Sequence, residues 1–421
     1  MANTLKFGNG NWATKEGSTL AYNDENNNFK PLPFDFTRDS IGTYVDSDGL
    51  IKTAGKGEAR IDYTDNTKGA LLLEPARTNL YRYSEDFTQS GSGTGWTKVG
   101  TAAATSNQTI SPDGTLNAYK IAIGTTQTST FGLYVNNVTI SPSASPFALS
   151  YYFKASEVQF IQIYFGGSQV VSGNPFANFD IENGVLGTVS AVLNASIEPY
   201  SNDFYKVTVT GTAQGANLSA IIIAIPSATS PRNTSNSWTS GDGFFIWGAQ
   251  LEVGSYATSY IPTQGSAVTR LADVCSQTPP DGVIGQTEGT VYIDFNYLNS
   301  TGERRFIFQL GTGDTTIYAR IESGQSLTSQ IINSGIGLTS TGTNVPSGIN
   351  KLAIAYDNNN CVIYFNGLQI AISTSITTPS VDELYLGHNS GGYQSLAGVI
   401  NNTKLYNTRL SNSELAALTQ V

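Results

Sequence analysis

Histidine, cysteine, methionine and charge are what this 421-residue chain has least of. One histidine, His388, and two cysteines, Cys275 and Cys361, leave no material for a His/Cys zinc cluster. Two distant cysteines also make no disulfide framework, and buried free thiols are their expected state. The sole methionine is Met1, so there is no Met-rich adaptable groove. Charged residues are 13% of the chain, and 22 Lys+Arg against 32 Asp+Glu leave a formal charge of −10. That balance argues against a nucleic-acid binder held by phosphate contacts. No run approaches the ~20 apolar residues of a membrane span. Met1–Gly10 lacks the apolar centre of a secretory signal. The expectation is a chain made in a cytoplasm, with no membrane span and no nucleic-acid partner.

What is abundant points to strands. Hydrophobic residues make up 39% and aromatics 11%, with 43 glycines and many Ser, Thr and Asn. Low charge with high Gly, Thr, Asn and aromatic content suits β-structure with many turns. Phe147, Leu149, Tyr151 and Phe153 alternate with Ala148, Ser150 and Tyr152, the period of a sheet face. Tyr205, Val207 and Val209 repeat it, as do Ile221, Ile223 and Ile225, and Asn183-Gly184 marks a hairpin tip. Phe244–Leu251 is apolar on both faces and predicts a central strand. Val291, Ile293, Phe295 and Tyr297 alternate again, and Asp357-Asn358-Asn359-Asn360 reads as the tip of a further hairpin. Ser411 with Glu414 three residues on forms a capping box, predicting one short C-terminal helix. The expected fold class is all-β, with tandem jelly-roll or β-sandwich domains after an irregular N-terminal segment. The expected boundaries are 1–75 for that segment, 76–264 for a jelly roll, 265–282 for a linker and 283–421 for a last β-domain. Asn23–Asn28 and Pro31–Phe36 argue for extended, docked chain in the first of these, and Pro279-Pro280 for the linker.

Family resemblance enters through several motifs. Phe34–Ser40, Asp48–Ile51, Ala59–Tyr63, Leu71–Leu80 and Tyr83–Phe87 together resemble an N-terminal module of bacteriophage tail and spike proteins. Ala76 departs from it, since many members carry glutamine there. Gly248–Glu252 with Ala257–Thr263 is similar to the closing strand of the jelly roll that often follows that module. Val362–Gly367, Leu384–Gly387, Gly398–Ile400 and Lys404–Ser411 resemble a concanavalin-like lectin domain of the laminin G type. The resemblance implies a virion-surface protein, trimeric, that presents sandwich modules to host glycans and meets other virion proteins through its N-terminal segment.

Candidate sites are few. A nucleophilic triad would have to use His388, the only imidazole, which lies in a Gly/Ser-rich loop after a strand. The plain reading is a polar surface loop, and its functional alternative is a sugar contact, with His388 and Asn389 bonding hydroxyls and Tyr393 stacking on a ring. Trp238, in a polar loop, reads as an exposed indole available to a ligand or subunit, whereas Trp96 and Trp247 read as packing residues. Gly91–Gly95 suggests a phosphate cradle, but no helix start follows, so it reads as a loop. Asp203, Asp242, Asp294, Asp314, Asp382 and Glu383 read as turn residues rather than a glycosidase pair. Asp357-Asn358-Asn359-Asn360 and Asp314 offer oxygen donors for calcium but lack the alternating acidic spacing of a dedicated loop, so they read first as hairpin-turn residues, and no other cofactor is expected. The function expected is non-catalytic host attachment through cell-surface glycans. Its alternatives are a purely structural virion pedestal, a polysaccharide depolymerase and, less favoured without a signal, a bacterial adhesin.

Overall fold

The computed structural model describes residues 4–8, 19–23, 29–33, 35–91, 95–166, 169–170, 173–278, 282–297 and 302–421. The Asn-rich turn at 24–28, Phe34, the centre of the glycine loop at 92–94 and Pro279-Pro280 lie outside those residues. Among the described residues the chain is all-β in class, with a single α-helix, Asn412–Leu418. No helix there is long and apolar enough to cross a membrane. The chain divides into two units, one of residues 1–48, 53–76 and 271–421, the other of 49–52 and 77–270.

Two six-stranded antiparallel sheets sharing one apolar core build the second unit. Strand Gly243–Val253 is central, between Ala118–Ile123 and Pro146–Lys154, as its two-sided apolar pattern requires. The motif Gln250-Leu251-Glu252 works through hydrogen bonds. Glu252 is buried and accepts from Gln250 Nε2 at 2.9 Å, Thr258 N at 2.9 Å and Thr258 Oγ1 at 2.5 Å. Gln250 Oε1 accepts from Ile261 N at 2.6 Å. The segment after the strand is thereby folded back onto it.

The first unit is a sandwich of an eight-stranded and a seven-stranded sheet around a single core. One sheet runs Leu368–Ser373, Cys361–Phe365, Gly348–Asp357, Glu288–Tyr297, Gly398–Tyr406, Ala70–Leu73, Arg60–Asp62, with Thr4–Gly8 also paired to Gly398–Tyr406. The other runs Ile336–Asn344, Ser326–Asn333, Thr315–Ile321, Arg305–Thr312, Leu384–Leu386, Val274–Gln277, Asp35–Thr37. Strands from the first 75 residues therefore complete both sheets, so that stretch is not a separate segment. The 265–282 stretch is likewise not a plain linker, because Val268–Arg270 and Val274–Gln277 are both paired strands. Asp294, read as a turn residue, lies within strand Glu288–Tyr297. The helix has the expected cap: Ser411 N donates to Glu414 Oε2 at 2.7 Å, and Glu414 N donates to Ser411 Oγ at 3.3 Å. Cys275 and Cys361 are buried free thiols.

Four buried charges explain why the ends of this unit stay together. Asp273 accepts from Arg38 Nη1 at 2.9 Å and from Arg60 Nη2 at 2.5 Å, while Arg60 Nη1 donates to Glu74 at 2.7 Å. All four side chains are almost wholly excluded from solvent. Further bonds run from Arg38 to the carbonyls of Ser40 and Gly55 and from Arg60 to that of Thr43. Burial alone would drive Arg60 toward neutrality, but Asp273 and Glu74 outweigh it and hold the guanidinium more firmly charged than usual. Removing one partner of such a cluster costs about 3–5 kcal/mol, because a buried charge is left unmatched. Asp273→Asn should therefore lower stability by roughly that amount in chemical denaturation, with faster amide exchange in Arg60–Asp62, Ala70–Leu73 and Val274–Gln277.

Candidate functional site

Strand register builds a polar surface on the seven-stranded sheet. Ile317, Ala319 and Ile321 enter the core, so Tyr318 and Arg320 stand on the opposite face. The same alternation turns out Gln309 between Phe308 and Leu310, and Tyr385 between Leu384 and Leu386. The pairings Asp35–Ser276, Ser276–Tyr385, Tyr385–Gln309, Gln309–Tyr318, Tyr318–Gln330 and Gln330–Thr339 place these residues in one row across all seven strands. At ~4.8 Å per strand the row is about 29 Å long.

Its members are coupled. Tyr318 Oη donates to Gln330 Oε1, and Gln330 Nε2 donates to Thr339 Oγ1 at 3.0 Å. Phe306 lies beside Tyr318 with ring centroids 5.3 Å apart, and the Arg320 guanidinium stands 5.3 Å from the Tyr318 centroid. Arg320 Nε donates to Glu322 at 2.7 Å. Burial pushes the Glu322 carboxyl up, but hydrogen bonds from Arg320 and Thr328 and the charges of Arg320 and Arg304 outweigh it, leaving it below the ordinary value. Tyr385 Oη donates to Glu383 at 2.6 Å, and its phenol is pushed up by burial and by that carboxylate. Tyr318, Tyr385 and Gln309 are buried, while Arg320 and Gln330 are half-buried and Thr339 and Asp35 are exposed. The row with neighbouring Arg320 thus presents the Gln330 amide, the Thr339 hydroxyl, the Asp35 carboxylate and a guanidinium beside the Tyr318 ring.

The loop singled out from sequence borders this row. Gln309 Nε2 donates to Ser390 Oγ at 3.3 Å, and Ser390 N donates to Gln309 Oε1 at 3.1 Å. Within the loop the three chosen residues have different fates. Tyr393 is 73% exposed. Asn389 Oδ1 accepts from Gly391 N at 3.1 Å and Tyr393 N at 2.8 Å, which makes it the residue that shapes the turn. His388 is 1% exposed, and its ring nitrogens face backbone: Cys275 N donates to Nε2 at 2.8 Å, and Nδ1 lies 2.7 Å from the Asn389 carbonyl. That environment fits the neutral ring protonated on Nδ1, and it turns His388 into a tie between loop and strand rather than a sugar contact. Trp238 is not an exposed indole either. It is 8% exposed, edge-on to Phe131, with Nε1 donating to Ser129 O at 3.1 Å. Trp96 and Trp247 are buried as expected.

Asp314 and Asp357 sit at hairpin turns, where the Asp314 carbonyl accepts from Ser334 N and the Asp357 carbonyl from Asn360 N. Among the described residues no group of three or more His, Cys, Asp or Glu side chains converges on a cation position. Sequence reading missed the row because its members lie far apart in the chain and meet only through pairing. The available signal was the polar half of alternations whose apolar half was already evident.

Burial lowers the His388 pKa, outweighing the carbonyls of Asn389 and Cys275, which lie 2.7 and 3.0 Å from its ring nitrogens and favour the charged form. Below pH ~6.5 the unfolded chain takes up a proton that the folded ring resists, so acidification favours unfolding. Stability should fall between pH 7.5 and 5.5, and His388→Gln should show a smaller fall over that interval in denaturant midpoints.

Comparison with known proteins bears on this unit. The family model described as the concanavalin A-like lectin/glucanases superfamily matches residues 276–416, about a third of the chain. No curated protein matches the chain. Among solved structures, the chain is similar to the CBM40 module of Ruminococcus gnavus IT-sialidase bound to α2,3-sialyllactose. Identity is 21%, over 32% of this chain and 84% of that one, with a TM-score of 0.29. Domain 4 of AbnA, a GH43 extracellular arabinanase from Geobacillus stearothermophilus, in complex with arabinotriose, is 18% identical over 39% and 82%, with a TM-score of 0.29. The heptameric SAP-like pentraxin of Limulus polyphemus is 13% identical over 31% and 68%, with a TM-score of 0.26. Residues 276–416, which hold every member of the row except Asp35, thus match a concanavalin A-like lectin/glucanase model and fold as part of a β-sandwich.

Proposed function

We propose that this chain is a non-enzymatic glycan-binding protein, a spike or tail component of a bacteriophage virion that attaches the particle to sugars on the host surface. The observation that carries the glycan reading is the cross-strand row, in which the Arg320 guanidinium stands 5.3 Å from the Tyr318 ring centroid and the Gln330 amide bonds both Tyr318 and Thr339. Sugar recognition calls for this pairing of neutral donors and acceptors with flat apolar faces. Around Tyr318, Arg320, Gln330 and Thr339 are the most accessible polar side chains and would meet hydroxyls, while Tyr393 stands at the bordering loop for stacking. The virion assignment is supported by the motifs between residues 34 and 263 that resemble phage spike modules. Contact with other virion proteins through the N-terminal segment and a homotrimeric state belong to the same proposal. Several copies matter because shallow sugar sites are weak singly, and linked sites gain ~10²–10⁴-fold.

The test uses purified full-length protein on host cells and their envelope polysaccharide. Binding should compete with phage adsorption, and the double variant Arg320→Ala/Gln330→Ala should bind the polysaccharide about tenfold more weakly, ~1.4 kcal/mol. No reducing ends should be released, and immunogold should label mature particles. Undiminished binding in the variant would move the site, sugar release would make the protein a depolymerase, and absence from virions would end the attachment role.

A further inference from the structure

The eight-stranded sheet of the first unit has an outward face of its own. Val291, Ile293 and Phe295 enter the core, so Tyr292, Asp294 and Asn296 stand on the other side of the strand. The C-terminal helix packs over part of that face, with Leu415 buried against Tyr292, Ala353, Ala355, Val362 and Tyr364. Where the helix ends, Ala417 and Leu418 form one wall of a cleft of about 590 Å³. Its floor includes Tyr292, Asp294, Lys351 and Lys404, and the Asp65–Thr67 turn supplies a rim.

A β-bulge shapes the floor. Asp294 pairs with Asn402 but Phe295 pairs with Ile400, which leaves Asn401 as the extra residue. Bulges re-aim side chains, and here Asn401 Nδ2 donates to Asp294 Oδ1 at 3.0 Å while its Oδ1 accepts from Asn66 Nδ2 at 3.0 Å. The carboxylate is thereby held in one orientation. Lys404 Nζ lies 5.1 Å from the Tyr292 ring centroid, and Lys351 Nζ donates to Gln420 O at 2.6 Å. Burial pushes the Asp294 carboxyl up, ahead of the opposing effects of Asn401, Lys351 and Lys404. Two lysines against Asp65 and Asp294 make the cleft formally neutral.

We propose that this cleft is a second, separate binding site, for one or two rings of a neutral hexose-type sugar. The volume falls within the ~300–1,000 Å³ of small-ligand sites. An oriented carboxylate is a charge-assisted acceptor for ring hydroxyls, and the flanking asparagines and lysines supply donors. Charge cancellation within the cleft disfavours acidic sugars. The site does not require the row on the other sheet to bind anything.

The deciding experiment probes an array of neutral hexose oligosaccharides, with their sialylated and uronate-bearing counterparts, using the full chain. Wild type, Asp294→Ala, Asn402→Trp and Arg320→Ala/Gln330→Ala are compared, with thermal melts as folding controls. Asp294→Ala and Asn402→Trp should each weaken neutral-sugar binding about tenfold or more, while the double variant keeps binding at the cleft. Asn402→Trp adds bulk without removing the carboxylate, so it decides the matter if Asp294→Ala unfolds. Neutral-sugar binding that both cleft variants leave intact, or a cleft-dependent preference for acidic sugars, overturns the inference. Loss confined to the double variant refutes the cleft and leaves the first reading standing. Silence of every variant and of wild type refutes both.

Discussion

Asp273 and the two guanidiniums it accepts from are the constraint on which the first unit depends. A carboxylate buried among strands is tolerable only if matched charges and hydrogen bonds surround it. Here the four groups come from two parts of the sequence: Arg38, Arg60 and Glu74 near the start, and Asp273 after the second unit. Apolar contacts alone would accept many registers. The tetrad accepts one, because even a two-residue slip, which keeps the apolar face inward, would carry Arg60 about 7 Å from its carboxylates.

That cluster also explains what the N-terminal motifs are for. Arg38, Arg60 and Glu74 lie within the stretches that resemble a phage spike module, and in the structure each is a buried structural residue. Gln250, Glu252 and Thr258 serve the other unit in the same way, tying a strand to the segment after it. A motif resemblance of this kind carries fold, and the binding chemistry has to be read elsewhere.

Much of the fold was legible in local pattern. Alternations at Phe147–Phe153 and Val291–Tyr297, the two-sided run at Phe244–Leu251 and the Ser411–Glu414 cap all report on their own neighbourhood. Domain limits were less legible, because nothing near Asp35 or Ala70 says which distant strand will pair with it. The candidate site was read at its edge only. Loop composition led to Tyr393 and Asn389, but polarity was a poor guide to exposure for His388 and Trp238, each of which buries an amphipathic ring by bonding its nitrogens to backbone. The row Tyr385–Gln309–Tyr318–Gln330 joins four strands and exists only after pairing.

The interleaved division of the chain has a consequence for biosynthesis. Residues 77–270 can finish folding while the ribosome is still translating, since their sheets draw on nothing downstream. The opening strands cannot, because Asp35–Thr37 awaits Val274–Gln277 and Ala70–Leu73 awaits Gly398–Tyr406. At about 5–20 residues per second, that is a delay of order ten seconds or more during which unsatisfied strand edges and the Arg38 and Arg60 side chains remain in water. A nascent chain of this design is most exposed to mispairing late in synthesis, and a chaperone acting on it would have most to do at its earliest-made end.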